Sequence, residues 1–269
     1  MKGKVVIITG GSSGIGYALA GEFGRLGAKI AIAARNESKL EKACVALQDK
    51  GIEVIAIPCD VSKENDCQNV IESVVKQYGK IDILVNNAGI SMRAAFIATE
   101  TSVLHKLMDI NFWGTVYCTK YALPYLLKTK GSIVGIISVA GHIGLPGRTG
   151  YSASKFAVRG FLDTLRSEHS QNGLHVLVAA PGFTASNIRN TALTSNGTIQ
   201  GETPRNESEM MSAETAASKI VKAVIKRKNS LVLTFLEGKF TVFLNKFFPS
   251  LVSKLAYNQM KKEPNSPFK

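Results

Sequence analysis

The chain has 269 residues, 45% of them hydrophobic, enough apolar material for one sizeable α/β domain. Its formal net charge is +13, but no nucleic-acid-binding motif accompanies that charge, so nucleic acid is not expected as a partner. Cys44, Cys59, Cys67 and Cys118 show neither disulfide nor metal-ligand spacing, and the four histidines form no cluster, so free buried thiols and no metal are expected.

Lys4–Ile8 is a short apolar run of the kind that makes a buried parallel strand. It leads into Thr9-Gly-Gly-Ser-Ser-Gly-Ile-Gly16, then a helical pattern through Ala18, Leu19, Phe23 and Leu26. A strand, a glycine turn and a helix make the first half of a dinucleotide site. The glycines let the backbone approach a pyrophosphate, and the helix N-terminus offers free N–H groups. Gly10, Ser12, Ser13, Gly14, Ile15 and Gly16 are therefore candidate cofactor contacts. The second strand, Lys29–Ala34, ends where a NAD-selective site would carry an acid. Arg35 follows instead, with Lys39 one turn on, and two cations suit the 2′-phosphate of NADPH.

Further strand patterns fall at Val54–Ile57, Ile81–Val85, Ser132–Ile137, His175–Ala179 and Leu231–Phe235, each separated from the next by helical or loop sequence. That alternation predicts α/β architecture: a doubly wound parallel sheet of Rossmann type, one catalytic domain over residues 1–238. Ligands of such sheets bind beyond the carboxyl ends of the strands. Asn111, followed by Phe112 and Trp113, opens a helix running toward Leu127. Ser138 follows the fifth strand, and His142, four residues on, reads as structural.

Tyr151 and Lys155 are the most informative pair. Four-residue spacing puts them on one helix face, one turn apart. A free tyrosine titrates near 10 and is a poor acid–base catalyst at neutrality; a cation one turn away favours its phenolate. A hydroxyl such as Ser138, thirteen residues earlier, can hold a carbonyl oxygen beside the phenol. That equipment passes a proton to an oxygen while hydride moves at the carbon.

The motifs Thr9–Gly16, Asn86-Asn-Ala-Gly89, Asn111, Ser138, Tyr151/Lys155 and Pro181-Gly182, in this order, make the chain resemble the short-chain dehydrogenase/reductase family over residues 4 to about 235. The resemblance implies a tetrad of Asn111, Ser138, Tyr151 and Lys155. Tyr151 would be the general acid, Ser138 would orient the carbonyl, and Lys155 would lower the tyrosine pKa and bond the nicotinamide ribose. Asn111 would hold a relay water. Asp60 and Val61 after the third strand, and Asn87, Ala88 and Gly89, would line the cofactor. Pro181, Gly182 and the following stretch would meet the nicotinamide amide. Ser186 stands where the family usually has threonine. A homodimer or homotetramer is expected on the same analogy.

Within the family, Thr9–Gly16, Ala34–Leu40 and Tyr151–Gly160 look like the 3-ketodihydrosphingosine reductases, which implies reduction of a sphingoid ketone by NADPH. The end of the chain resembles a lipid-active branch that includes 11-beta-hydroxysteroid and acyl-dihydroxyacetone-phosphate reductases. Alternatives are another lipid or steroid ketone, a small carbonyl compound, or a non-enzymatic NADPH-sensing scaffold at a membrane.

The segment Phe183–Ser212 is polar and without strong period, which predicts a mobile loop over the active site. Its apolar residues are few: Phe183, Ile188, Leu193, Ile199, Met210 and Met211. Residues 219–269 hold eleven Lys or Arg against two Glu, a net +9. From residue 239 onward aromatics and lysines interleave, and Pro249 divides two short helices. This extension, 239–269, reads as an amphipathic element that either lies on a membrane surface or packs on the domain. Because the fold pattern begins at Lys4, the expected setting is cytoplasmic, peripheral on a membrane if the tail binds one.

Overall fold

A computed structural model describes residues 1–204, 206 and 209–269. The chain alternates strand and helix from β1 (Val5–Thr9), α1 (Gly14–Arg25), β2 (Lys29–Ala34), α2 (Glu37–Gln48) and β3 (Val54–Pro58) onward. It continues through α3 (Glu64–Tyr78), β4 (Ile83–Asn86), α4 (Thr101–Met108), α5 (Gly114–Lys128), β5 (Ser132–Ile136), α6 (Thr149–Glu168) and β6 (His175–Ala180). The last elements are α7 (Ala213–Ile225), β7 (Ser230–Val232), α8 (Thr241–Phe247) and α9 (Pro249–Lys262).

All seven strands are parallel, in the order β3-β2-β1-β4-β5-β6-β7. Alternate side chains of each strand enter opposite layers, as a two-residue period requires. Val6 and Ile8 of β1 join Leu19, Phe23, Leu40 and Ile220 on one face. Val5 and Ile7 join Ile71, Val74, Leu126 and Leu162 on the other. Both faces are covered, so the strands read as continuous apolar runs. Each such fully buried Ile, Leu or Phe contributes roughly 1.5–3 kcal/mol.

The strand order reverses between β1 and β4, and their carboxyl ends are tied together there. Thr9 Oγ1 accepts the backbone N–H groups of Asn87 and Ala88, both at 3.0 Å. Asn87 Nδ2 returns bonds to the carbonyls of Thr9 (2.9 Å) and Gly10 (3.2 Å). This topological switch point is where open parallel sheets hold ligands.

The strand expectations agree with the structure to within a residue or two, except at β7. The expected strand through Phe235 stops at Val232, and Phe235–Phe240 forms a π-helical turn. A Cβ at Gly238 would press against Thr234 and Val232, so this turn folds tightly onto the strand end. The segment after β6 is also less free than its polarity implies. Bridges tie Leu193 to Met92 and Ile199, and Thr184 to Met211. Ala192 and Leu193 are buried.

The C-terminal extension breaks between α8 and α9, where Pro249 takes the first turn of α9. Val252 packs with Val139 and Ile143 on the domain. The chain end is locked by Arg93, whose guanidinium donates to Glu263 (3.3 Å) and to the carbonyls of Pro264 (2.7 Å) and Asn265 (3.0 Å).

Candidate active site

The first turn of α1 is built to receive an anion. Gly10 and Gly14 have positive φ, and a Cβ at Gly16 would run into the Gly10 carbonyl and the Asn87 side chain. Ser13, the residue before α1, makes no side-chain capping bond, and no acid occupies the first turn. The helix therefore presents uncapped N–H groups to the glycine turn, a ready site for pyrophosphate. The residues present fit the diphosphate of a dinucleotide.

A cleft of about 960 Å³ runs from this turn along the carboxyl edge of the sheet. All residues nominated from the sequence line it except Gly16, Asp60 and Asn111. Gly16 is buried beneath the turn. Asp60 lies in a small adjoining recess with Arg35 and Cys59, and its Oδ1 accepts the backbone N–H (3.1 Å) and hydroxyl (2.8 Å) of Ser62. At the end of β2, Asn36 caps α2 by accepting the Lys39 N–H at 2.8 Å, leaving Arg35 and Lys39 exposed at the cleft.

Asn111 stands one layer behind. Residues Asp109–Trp113 form a π-helical turn between α4 and α5, an insertion that re-aims a side chain out of the regular ladder. The freed Asn111 carbonyl accepts the Thr115 hydroxyl at 2.8 Å. Asn111 Oδ1 accepts the Ile90 N–H (2.8 Å), and Nδ2 donates to the Ile90 carbonyl (3.0 Å) and Ser154 Oγ (2.9 Å). Ser154 in turn donates to the Tyr151 carbonyl at 2.8 Å. Gly89 separates this asparagine from the cleft: a Cβ there would lie 3.0 Å from Asn111 Oδ1 and 3.3 Å from Lys155 Nζ.

Ser138 follows β5 and accepts the Ala140 N–H at 3.2 Å. Burial raises the Tyr151 pKa above its ordinary value, while the nearby Ser138 hydroxyl and the positive fields of Arg148 and Arg189 oppose that rise. The sequence assigns the lowering cation to Lys155, whose Nζ sits 5.8 Å from the tyrosine ring centroid. Arg148 and Arg189 add positive fields of their own at the phenol. Lys155 donates to the Ile136 carbonyl at 3.0 Å, and its own pKa is pushed down to about 8 by burial. In this state the lysine is itself a desolvated cation.

Three further features were not found in sequence. Ser154 and the Ile90 backbone hold Asn111. Arg148 and Arg189 line the cleft near Tyr151, and no periodicity marks them. The tail supplies a wall through Leu236, Phe240, Leu244, Val252 and Leu255. From the loop expected to cover substrate, Phe183 and Ile188 reach the cleft, whereas Leu193 is buried and Ile199 points to solvent. His142 does not line it. Its Nδ1 lies 2.9 Å from Arg159 Nη1, and burial, with Arg159 second, lowers its pKa to about 4.

A parallel sheet of this order, a glycine turn at its switch point, and serine, tyrosine and lysine at its carboxyl edge define a dinucleotide-dependent oxidoreductase. The chain belongs to the short chain dehydrogenase family, which residues 4–196 match. It is 34% identical to dehydrogenase/reductase SDR family protein 7-like of Drosophila melanogaster, over 93% of this chain and 78% of that one. It is 32% identical to dehydrogenase/reductase SDR family member 7B of Mus musculus, over 99% and 84%. The crystal structure of a short chain dehydrogenase/reductase from Burkholderia phymatum in complex with NAD has the same fold, with a TM-score of 0.83 at 24% identity over 93% and 95% of the two chains. An alcohol dehydrogenase from the archaeon Thermococcus sibiricus, complexed with 5-hydroxy-NADP, gives 0.74 at 26% identity over 85% and 93%.

Proposed function

We propose that this protein is an NADPH-dependent reductase of apolar, lipid-class ketones. One observation carries the reading: Ser138 and Tyr151 line the same cleft as the glycine turn, and apolar tail residues wall it. The reduced nicotinamide, when bound, supplies the hydride. Ser138 and Tyr151 hydrogen-bond the carbonyl oxygen, and the phenol delivers its proton to that oxygen as it becomes an alkoxide. Its raised pKa keeps the phenol protonated at neutral pH. Asn111 acts by position: its three bonds fix Ile90 and Ser154 and so the floor behind Gly89. Arg35 and Lys39, at the end of β2, support selection of the 2′-phosphate.

NADPH oxidation over a ketone panel tests the proposal, with 3-ketodihydrosphingosine, a steroid ketone, a long-chain 2-ketone and a short-chain ketone. Turnover of a long-chain or steroid ketone, lost in Tyr151→Phe while NADPH still binds, is the expected result. Turnover retained in Tyr151→Phe would remove the assigned acid. Arg35→Ala should weaken NADPH binding about tenfold more than NADH binding; equal losses would mean Arg35 does not read the phosphate.

The exposed surface of the tail supports a second element of this reading, contact with an anionic bilayer. Phe235, Leu236, Phe240, Phe243, Phe247, Phe248, Leu251 and Leu255 are all exposed, and Lys239, Lys246 and Lys254 lie among them. Leu236, Phe240 and Leu255 also line the cleft, so this greasy rim borders the substrate mouth. No helix among the described residues is long and apolar enough to cross a membrane.

A further inference from the structure

We propose that Arg148 forms an anion subsite beside the reacting hydroxyls, and that the ketone substrate carries a carboxylate or phosphate within a few bonds of its carbonyl. The inference rests on the reductase reading and narrows its substrate class.

The cleft is strongly cationic. Arg35, Lys39, Arg148, Lys155 and Arg189 line it, against one acid among the described residues, Glu237. Arg35 and Lys39 stand at the end of β2, where the adenosine end of a dinucleotide belongs. Lys155 is held by the Ile136 carbonyl. Arg148 and Arg189 are left at the tyrosine end, and both fields reach the Tyr151 phenol.

Arg148 is fixed in place but not used up. Its Nη1 donates to Ser91 Oγ (2.7 Å) and the Met92 carbonyl (3.0 Å). Its Nε and Nη2 make no hydrogen bond, and the side chain makes no ion pair, among the described residues. The acid acting on it is Glu263, already bonded to Arg93. Arg148 also sits immediately before α6, where the helix dipole disfavours a cation. A half-buried guanidinium with an open planar edge matches the two oxygens of a carboxylate or phosphate. The same field is hostile to a sphingoid 3-ketone, whose ammonium is on the carbon next to the carbonyl.

Two measurements separate this subsite from the reductase reading. The first is titration calorimetry of the NADP+-loaded protein with dodecyl phosphate, dodecanoate and 1-dodecanol. An anion should bind the wild type more tightly than the alcohol. Arg148→Met should erase at least about tenfold of that preference, while Arg148→Lys, which keeps the charge, retains part of it. The second is the ratio of kcat/KM for 2-oxododecyl phosphate or 4-oxododecanoate to that for 2-dodecanone. Because Arg148 also acts on Tyr151, only the ratio is diagnostic, and it should fall at least about tenfold in Arg148→Met. Whichever anion gains more identifies the source. Anion preference unchanged in Arg148→Met, or absent from the wild type, overturns the subsite. If no ketone is reduced but the calorimetric preference still depends on Arg148, the reductase reading fails and the subsite stands.

Discussion

Lys155→Met should make the protein more stable while removing its activity. Burial holds the Lys155 pKa near 8, against 10.5 for the free side chain. Each unit is worth about 1.4 kcal/mol, so the protonated lysine costs the folded state about 3 kcal/mol at pH 7. Methionine fills a similar volume without charge. It gives up one bond to the Ile136 carbonyl, worth about 1 kcal/mol. The expected net gain at pH 7 is about 2 kcal/mol. Between the folded and unfolded pKa values the unfolded chain binds more protons, so the wild type gains stability as pH rises through that window. The advantage of Lys155→Met is therefore complete below pH 8, is used up about 1.5 units higher, and turns toward 10.5 into a deficit of about 1 kcal/mol, the lost Ile136 bond. Urea unfolding of both proteins at pH 7, 8, 9 and 10, followed by circular dichroism, reads this directly. A variant that is less stable at pH 7, or whose stability difference ignores pH, would refute the claim that Lys155 is a desolvated cation.

Two further perturbations address the tail. Arg93→Met leaves the Glu263 carboxylate, itself 9% exposed, without its guanidinium, and breaking such a pair costs about 3–5 kcal/mol. The loss should appear as early proteolysis near the C-terminus and a raised KM for apolar ketones; a tail as resistant as in the wild type would mean Arg93 is not the anchor. Replacing Phe243 and Phe247 together by serine should weaken binding to phosphatidylserine vesicles without changing thermal stability, since both rings are 60% or more exposed. Unchanged vesicle binding, or none in the wild type, would remove the membrane proposal.

Much of the fold was legible because local signals and global topology agreed. Apolar runs bounded by glycine, lysine and polar residues mark β1 to β6, and alternation with helices dictates a parallel sheet. Pattern failed at β7, because Leu231–Phe235 is an apolar run that periodicity cannot divide into strand and turn. The site was legible wherever its members lie close in sequence, as Tyr151 and Lys155 do. It was not legible where distant segments meet. Arg93 and Glu263 are 170 residues apart, and only the folded chain brings them together. The π-helical turn carrying Asn111 has no signature in side-chain period, and the groups its asparagine bonds, Ile90 and Ser154, lie 21 and 43 residues away in the chain.

The tail packs on the domain by one face only. A helix with interleaved aromatics and lysines can pack or lie on a bilayer, and in α8 and α9 the packed and the exposed residues fall on different faces. Val252 and Met260 turn inward, and the rings of α8 with Leu251 and Leu255 of α9 stay out. Because the inward face also walls the cleft, moving the tail moves the substrate site. An apolar ketone leaving a bilayer would pass the exposed rings, meet Phe240 and Leu244, and present its carbonyl to Ser138 and Tyr151. An acidic group on that ketone would be drawn the same way by Arg148, while its apolar chain remained along the tail. The cleft thus combines an apolar tail wall with positive charge near the tyrosine, the two features an amphiphilic anion would use.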